Sequence, residues 1–244
     1  MRIDATGLHY RELNQQIRTA VQAGETDFHL DNICGHRYVG CGIGASVDIR
    51  INGIPGNDLA SFMSGPRVWC SENAQDAIAN TMSDGLVVVP GHAGDVLGYS
   101  MRGGSVYVRG NAGYRIGIHM KSFEGREPVI VVGGRVRDYC GEYLAGGKIV
   151  VLGLDLPEDE PIVGRYTATG MHGGAVYIRG EVAEDRIRKG VSLAQVGDDE
   201  RPSLRELLNP YCDVFGLSVD EVLSAPFTRI TAHTTRPYGQ LYAY

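Results

Sequence analysis

The stretch MRGGSVYVRGNAGYRIGIHM, residues 101–120, begins and ends on methionine and holds five glycines. Residues 82–101 just upstream, MSDGLVVVPGHAGDVLGYSM, keep the same rhythm. Aligned on the methionines, Met63, Met82, Met101 and Met120 stand 19 residues apart; Leu144 follows after 24 and Met171 after 27. Apart from Met1, every methionine of the chain occupies this one position. A recurring period of this size is the mark of a repeat architecture.

Other columns agree with the methionines. Four residues earlier stand Leu59, Ile78, Leu97, Ile116, Cys140 and Thr167; three residues earlier stand Ala60, Ala79, Gly98, Gly117, Gly141 and Ala168, all small. After each methionine or its equivalent comes a glycine turn and a short apolar run, such as LVVV (86–89), SVYV (105–108), VIVV (129–132) and KIVV (148–151). The longer gaps have local causes: KSFEGRE (121–127) and LDLPEDEP (154–161) are inserted between coils. A period of 19–20 with β-branched runs and glycine corners predicts an all-β fold, a single-stranded parallel β-solenoid in which each repeat is one coil. Equivalent residues then stack at the strand spacing, and six coils span about 29 Å. The methionine and leucine columns become interior ladders.

Ends of a solenoid need caps. RELNQQIRTAVQAG (11–24) places Leu13, Ile17, Ala20 and Val21 at helical spacing and closes on Gly24. After Gly190 the repeat is lost. Ser203 with Glu206 and Ser218 with Glu221 carry capping-box spacing, each predicting a short helix. The ending FTRITAHTTRPYGQLYAY (227–244) reads as extended chain along the outside of the coil. The expected organisation is an N-terminal capping helix region over 1–30, the β-helix over 31–190 and a helical and extended tail over 191–244.

Composition narrows the function. Glycine makes up 34 of 244 residues, about twice the usual share. A net charge of -6 argues against a nucleic acid or an anionic membrane as partner. No apolar run is long enough to cross a bilayer, and the N-terminus lacks the apolar stretch of a secretion signal. Cys34, Cys41, Cys70, Cys140 and Cys212 are odd in number and scattered, which predicts a reduced, cytoplasmic protein without a disulfide framework or zinc site.

The glycines of GNAGYRIG (110–117) resemble a dinucleotide loop, but the next strand arrives too soon and GHAG (91–94) repeats the pattern, so solenoid corners are expected. Cys140 sits in an apolar column and Cys70 on the same strand face as Val68, both as small buried hydrophobes. His92 occupies the turn column of Asn73 and Asn111. His119 is expected to point outward beside Met120. No catalytic, cofactor-binding or metal-ligating residue is expected in this chain. One outward column remains: Trp69, Val88, Tyr107, Val131, Val150 and Tyr177. An apolar stripe on the outside needs cover, either from the tail or from a partner, and it is the candidate docking face.

The coils, with YCGEYLAGGKIVVLG (139–153) and TGMHGGAVYIRG (169–180), resemble the GXGXG domain. That domain is the right-handed β-helix at the C-terminal end of the large glutamate synthase chain, found also in the β-helix subunit of formylmethanofuran dehydrogenase. The resemblance covers roughly residues 30–182. The flanks RELNQQIR (11–18), ICGHRYVG (33–40) and RPYGQLYAY (236–244) are similar to the version in which the domain is a separate polypeptide, as in N-methylglutamate synthase. The resemblance implies a structural subunit of an oxidoreductase complex for glutamate biosynthesis. It implies a glutaminase (amidotransferase) subunit and an FMN-binding synthase subunit as partners, with FMN and iron–sulfur on those partners rather than on this chain. The alternative it implies is the same scaffold in a formylmethanofuran dehydrogenase-type complex. Open coil ends also allow a homo-oligomer when the chain is isolated.

Overall fold

The computed structural model describes residues 1–157, 160–188 and 190–233. Its backbone is organised by one 11-stranded sheet. Strands β1 (Arg2–Asp4), β2 (Asp27–Cys34), β3 (Asp48–Ile54), β4 (Ser64–Cys70), β5 (Asp84–Val89), β6 (Ser105–Val108), β7 (Val129–Val132), β8 (Ala145–Val151) and β9 (Gly173–Arg179) lie in chain order. Every neighbouring pair among them is parallel. This is the parallel β-solenoid that the repeat predicts. The sheet reaches beyond 31–190 at both ends. Helix α1 (Tyr10–Gln22) is inserted between the first two strands, and β11 (Phe227–Ala232) returns from the tail antiparallel to β9, with β10 (Val191–Gln195) outside it.

The interior ladders form as expected. Met63, Met82, Met101, Met120 and Leu144 are fully buried, as are Leu59, Ile78, Leu97, Ile116, Cys140 and Thr167 of the second column. Burying each large apolar side chain is worth about 1.5–3 kcal/mol, and stacking like on like lets one coil's packing serve the next.

The small column has a backbone cause that side-chain size alone does not reveal. Just before each methionine-column residue the chain alternates between right- and left-handed conformations. In the third coil Val96, Gly98 and Ser100 have φ of 52, 72 and 51; in the fourth Arg115, Gly117 and His119 have 57, 68 and 56. The alternation sends amides both ways along the solenoid: Gly98 N–H donates back to Ile78 O at 2.8 Å and Ser100 N–H forward to Ile118 O at 2.9 Å. The central residue of each trio faces the interior. A Cβ on Gly117 would stand 2.4 Å from Ile149 Cδ1, so that column takes only Gly or Ala. The residues on either side face outward and carry any side chain. A further such corner, with Tyr38, Gly40 and Gly42 at φ 60, 76 and 70, precedes the six corners legible in the repeat and puts Ile43 in the methionine column.

The caps follow from local sequence. Helix α1 starts on His9 as N-cap with Glu12 completing a capping box, and buries Leu13 and Ile17 against the interior ladder. Helix α2 (Arg201–Phe215) begins earlier than Ser203 predicts: Glu200 is the N-cap, and Pro202 in the first turn presets the helical φ. Ser203 is therefore an exposed residue of the first turn. Helix α3 (Val219–Leu223) does start on Ser218, whose hydroxyl accepts from Glu221 N–H at 3.3 Å. Of the predicted extended ending, 227–232 is β11, and residues 234–244 lie outside the described residues.

Candidate interaction surfaces

The six residues of the outward column fall on one line of sheet register. Trp69 pairs with Val88, Val88 with Tyr107, Tyr107 with Val131, Val131 with Val150, and Val150 with Tyr177. The line continues as Arg50 and His29 at one end and Arg229 at the other.

Of the two possible covers, the chain's own tail is the one present. Val88, Tyr107, Val131 and Val150 are buried in a second core with Leu204, Leu208, Tyr211 and Cys212 of α2 and Val222 and Leu223 of α3. Tyr211 anchors it. Its ring meets Tyr107 edge-on at 5.8 Å, and its hydroxyl donates to Val108 O at 3.3 Å. A Cβ on Gly133 would lie 2.3 Å from that hydroxyl, so the glycine makes its seat. Burial pushes the phenols of Tyr211 and Tyr107 upward. As an open docking face, the stripe is thus reduced to its two half-buried ends, Trp69 and Tyr177.

Trp69 is half-buried and borders a groove of about 280 Å³ lined by His29, Asp31, Arg50, Asn52, Trp69 and Ser71. Leu30, Ile51 and Cys70 complete its lining, and ion pairs surround it. Arg50 pairs with Asp27, Arg67 with Asp48 and Arg2 with Asp31. The Arg67 guanidinium holds the Asp48 carboxyl below its ordinary range.

The glycine-rich corners are structural. His92 Nδ1 accepts from Asn111 N–H at 2.9 Å, as Asn73 Oδ1 does from His92 N–H at 2.7 Å and Asn111 Oδ1 from Arg135 N–H at 2.9 Å. Asp76 and Asp95 repeat the device three residues on, toward Asp95 N–H and Tyr114 N–H. Each side chain occupies the space where a Cβ of the next coil would stand: 2.5 Å from His92 Nδ1 for Gly110 and 2.0 Å from Asp95 Oδ1 for Gly113. These glycines make room for capping side chains. Cys140 is fully enclosed and Cys70 is buried, and burial pushes both thiols up to about 12. Among the described residues no group of three or more His, Cys, Asp or Glu is placed to hold a metal ion, and no helix is long and apolar enough to cross a membrane.

A different exposed face was not singled out by the repeat. The outward positions of the left-handed corners carry aromatics. Tyr99 meets His119 edge-on at 6.0 Å, and His119 stacks on Tyr143 at 5.1 Å. Beside them Arg115 lies 4.5 Å over Tyr139, Tyr139 stacks on Tyr166 at 4.9 Å, and Arg188 lies 4.4 Å over Tyr166. The signal was in the columns: Phe62, His119 and Tyr143 each immediately precede a methionine-column residue.

A family model described as GXGXG motif matches residues 11–236. An uncharacterized protein of Methanocaldococcus jannaschii is 41% identical over 98% of this chain and 95% of its own length. The chloroplastic ferredoxin-dependent glutamate synthase of Oryza sativa is 40% identical over 55 residues, 21% of this chain but 3% of that enzyme. Its counterpart in Arabidopsis thaliana is 39% identical over 66 residues, 25% of this chain and 4% of that enzyme. A chain of the formyltransferase/hydrolase complex of Methylorubrum extorquens, solved with methylofuran, superposes with a TM-score of 0.61 over 85% of this chain and 73% of that one. At 18% identity that likeness is one of fold.

Proposed function

The chain belongs to the GXGXG motif family, and on that premise we propose that it is a structural subunit of a glutamate-synthase-type complex. A glutaminase subunit would release ammonia, an FMN-binding synthase subunit would use it to form glutamate or N-methylglutamate, and this solenoid would brace the two. The observation that carries the reading is the family match over nearly the whole chain, joined to segment identity with glutamate synthases. The titratable groups support it. A thiol at about 12 is almost wholly protonated at neutral pH and makes a poor nucleophile. His92 commits Nδ1 to a backbone amide. The reading places the protein in cytoplasmic nitrogen metabolism, with FMN and iron–sulfur on its partners.

A second reading takes the fold likeness to the Methylorubrum extorquens complex as its lead and makes the chain the β-helix subunit of a formylmethanofuran dehydrogenase-type assembly. One purification separates the two. The tagged chain, drawn gently from its native host, is expected to bring a glutaminase and a protein with flavin absorbance. Molybdopterin-type subunits in their place would favour the second reading. A colourless chain that comes out alone would overturn both.

A further inference from the structure

Of the eight large hydrophobic side chains exposed among the described residues, Tyr38, Phe62 and Tyr143 are themselves left-handed, and Tyr99 and Tyr114 stand directly beside left-handed Ser100 and Arg115. The backbone does not require them. Phe62, His119 and Tyr143 hold φ of 56, 56 and 53, while the same column ends in glycine, Gly42 at φ 70 and Gly170 at φ 68. Glycine is the cheap occupant of that conformation, and an L-residue there costs about 1–2 kcal/mol. An aromatic ring left 44% exposed, as at Tyr143, recovers little of this by burial.

The charge around these rings runs against the molecule as a whole. The chain carries -6, yet from Tyr114 onward the corner presents Arg115, Arg137, Arg165 and Arg188 against Asp138 and Glu142. Both carboxylates are engaged: Glu142 with the Arg115 guanidinium, Asp138 Oδ1 with the Arg165 amide at 2.8 Å. Arg137 and Arg188 instead lie over the rings of Tyr114 and Tyr166, at 5.5 and 4.4 Å. They make no ion pair among the described residues.

We propose that the aromatic corner from Tyr99 to Arg188 is a docking surface for a carboxylate-bearing protein segment of a partner subunit. Tyrosine and arginine are the side chains that concentrate interface energy. A guanidinium over a tyrosine ring and without a carboxylate partner has N–H groups to offer for bidentate contact with Asp or Glu. A long polyanion fits less well, because Asp58, Asp76 and Asp95 lie on the preceding coils of the same corner. This inference rests on the assembly reading above and adds the face through which assembly occurs.

The test uses the full chain in its native complex. A photoreactive benzoylphenylalanine replaces Tyr143, Tyr99 or, as a control at the far end, exposed Leu193 of β10. After irradiation and mass spectrometry, the first two sites are expected to link to one acidic partner segment and the third to none. Arg137→Glu with Arg188→Glu is expected to lower partner recovery about tenfold, with an unchanged melting temperature because both side chains are exposed. An intact complex in which Tyr143 links to nothing, to a lipid, to nucleic acid or to a second copy of this chain overturns the proposal and leaves the assembly reading standing. If no partner accompanies the unsubstituted chain, the assembly reading fails and takes the proposal with it.

Discussion

At Gly113 an added methyl group would stand 2.0 Å from Asp95 Oδ1, which accepts from Tyr114 N–H at 2.9 Å. Gly113→Ala therefore evicts the cap and crowds the Gly94 backbone, a loss expected at about 2–3 kcal/mol in urea unfolding. Asp95→Ala removes the cap alone. Because both changes break the same contact, the double variant is expected to lose less than the sum of the singles. Additive losses would show that the glycine and the aspartate act independently. The buried thiols make a second test. Cys70 and Cys140 hold their protons up to about 12 when folded, against an ordinary value of 9.0. Between those values the unfolded chain releases protons that the folded chain retains, so stability present below pH 9 is lost as pH rises toward 12. Denaturant midpoints across that range should fall less in the Cys70→Ala, Cys140→Ala variant. At this scale the sequence was legible wherever a column repeats: the turn role of His92 and the small column both followed from alignment. The left-handed backbone behind the small column did not, because residues such as Val96 and Thr81 carry no glycine signal for φ of 52 and 55.

At the scale of elements, α2 decides what the outside of the sheet is. Its interior Pro210 forgoes one helical hydrogen bond, and the helix is held by its buried face instead. Tyr211→Ala is expected to cost about 3–5 kcal/mol and Tyr211→Phe about 1 kcal/mol, since the ring supplies the packing and the hydroxyl one long hydrogen bond of 3.3 Å. Thermal melts of the pair would check the ratio. Along the register line, Tyr107→Asp places a carboxylate under α2 and should unfold the second core, at a loss of about 4 kcal/mol or more. Trp69→Asp, at a half-buried end, should cost about 1–2 kcal/mol. Equal losses would mean that the helix covers Trp69 as fully as Tyr107. The stripe itself was readable from the alternation of strand residues. Its cover was not, because helical spacing in 201–215 shows an apolar face without saying which surface meets it.

At the scale of the whole molecule, each coil is stabilised by its neighbours and the ends by α1 and the β11–β10 pair. A chain stopped after Gln195 loses α2, α3 and β11 together. It uncovers Val88, Tyr107, Val131 and Val150 and frees the edge of β9. Such a chain is expected to associate, with light scattering giving a mass of several copies where the full chain gives its own. The amino-acid sequence by itself determined the solenoid, its period and its interior ladders. In a stack, every coil meets the same neighbours at the same spacing, so the requirement is written once per repeat and shows as a column. Only the tertiary structure decided that the outward stripe belongs to a second core and that the exposed aromatics gather on one corner. The first depends on contacts between segments far apart in the chain, as where Tyr211 meets Val108 across 103 residues. The second depends on backbone handedness, which sets where a side chain points: the column before the methionines repeats in the sequence, but that it faces outward does not.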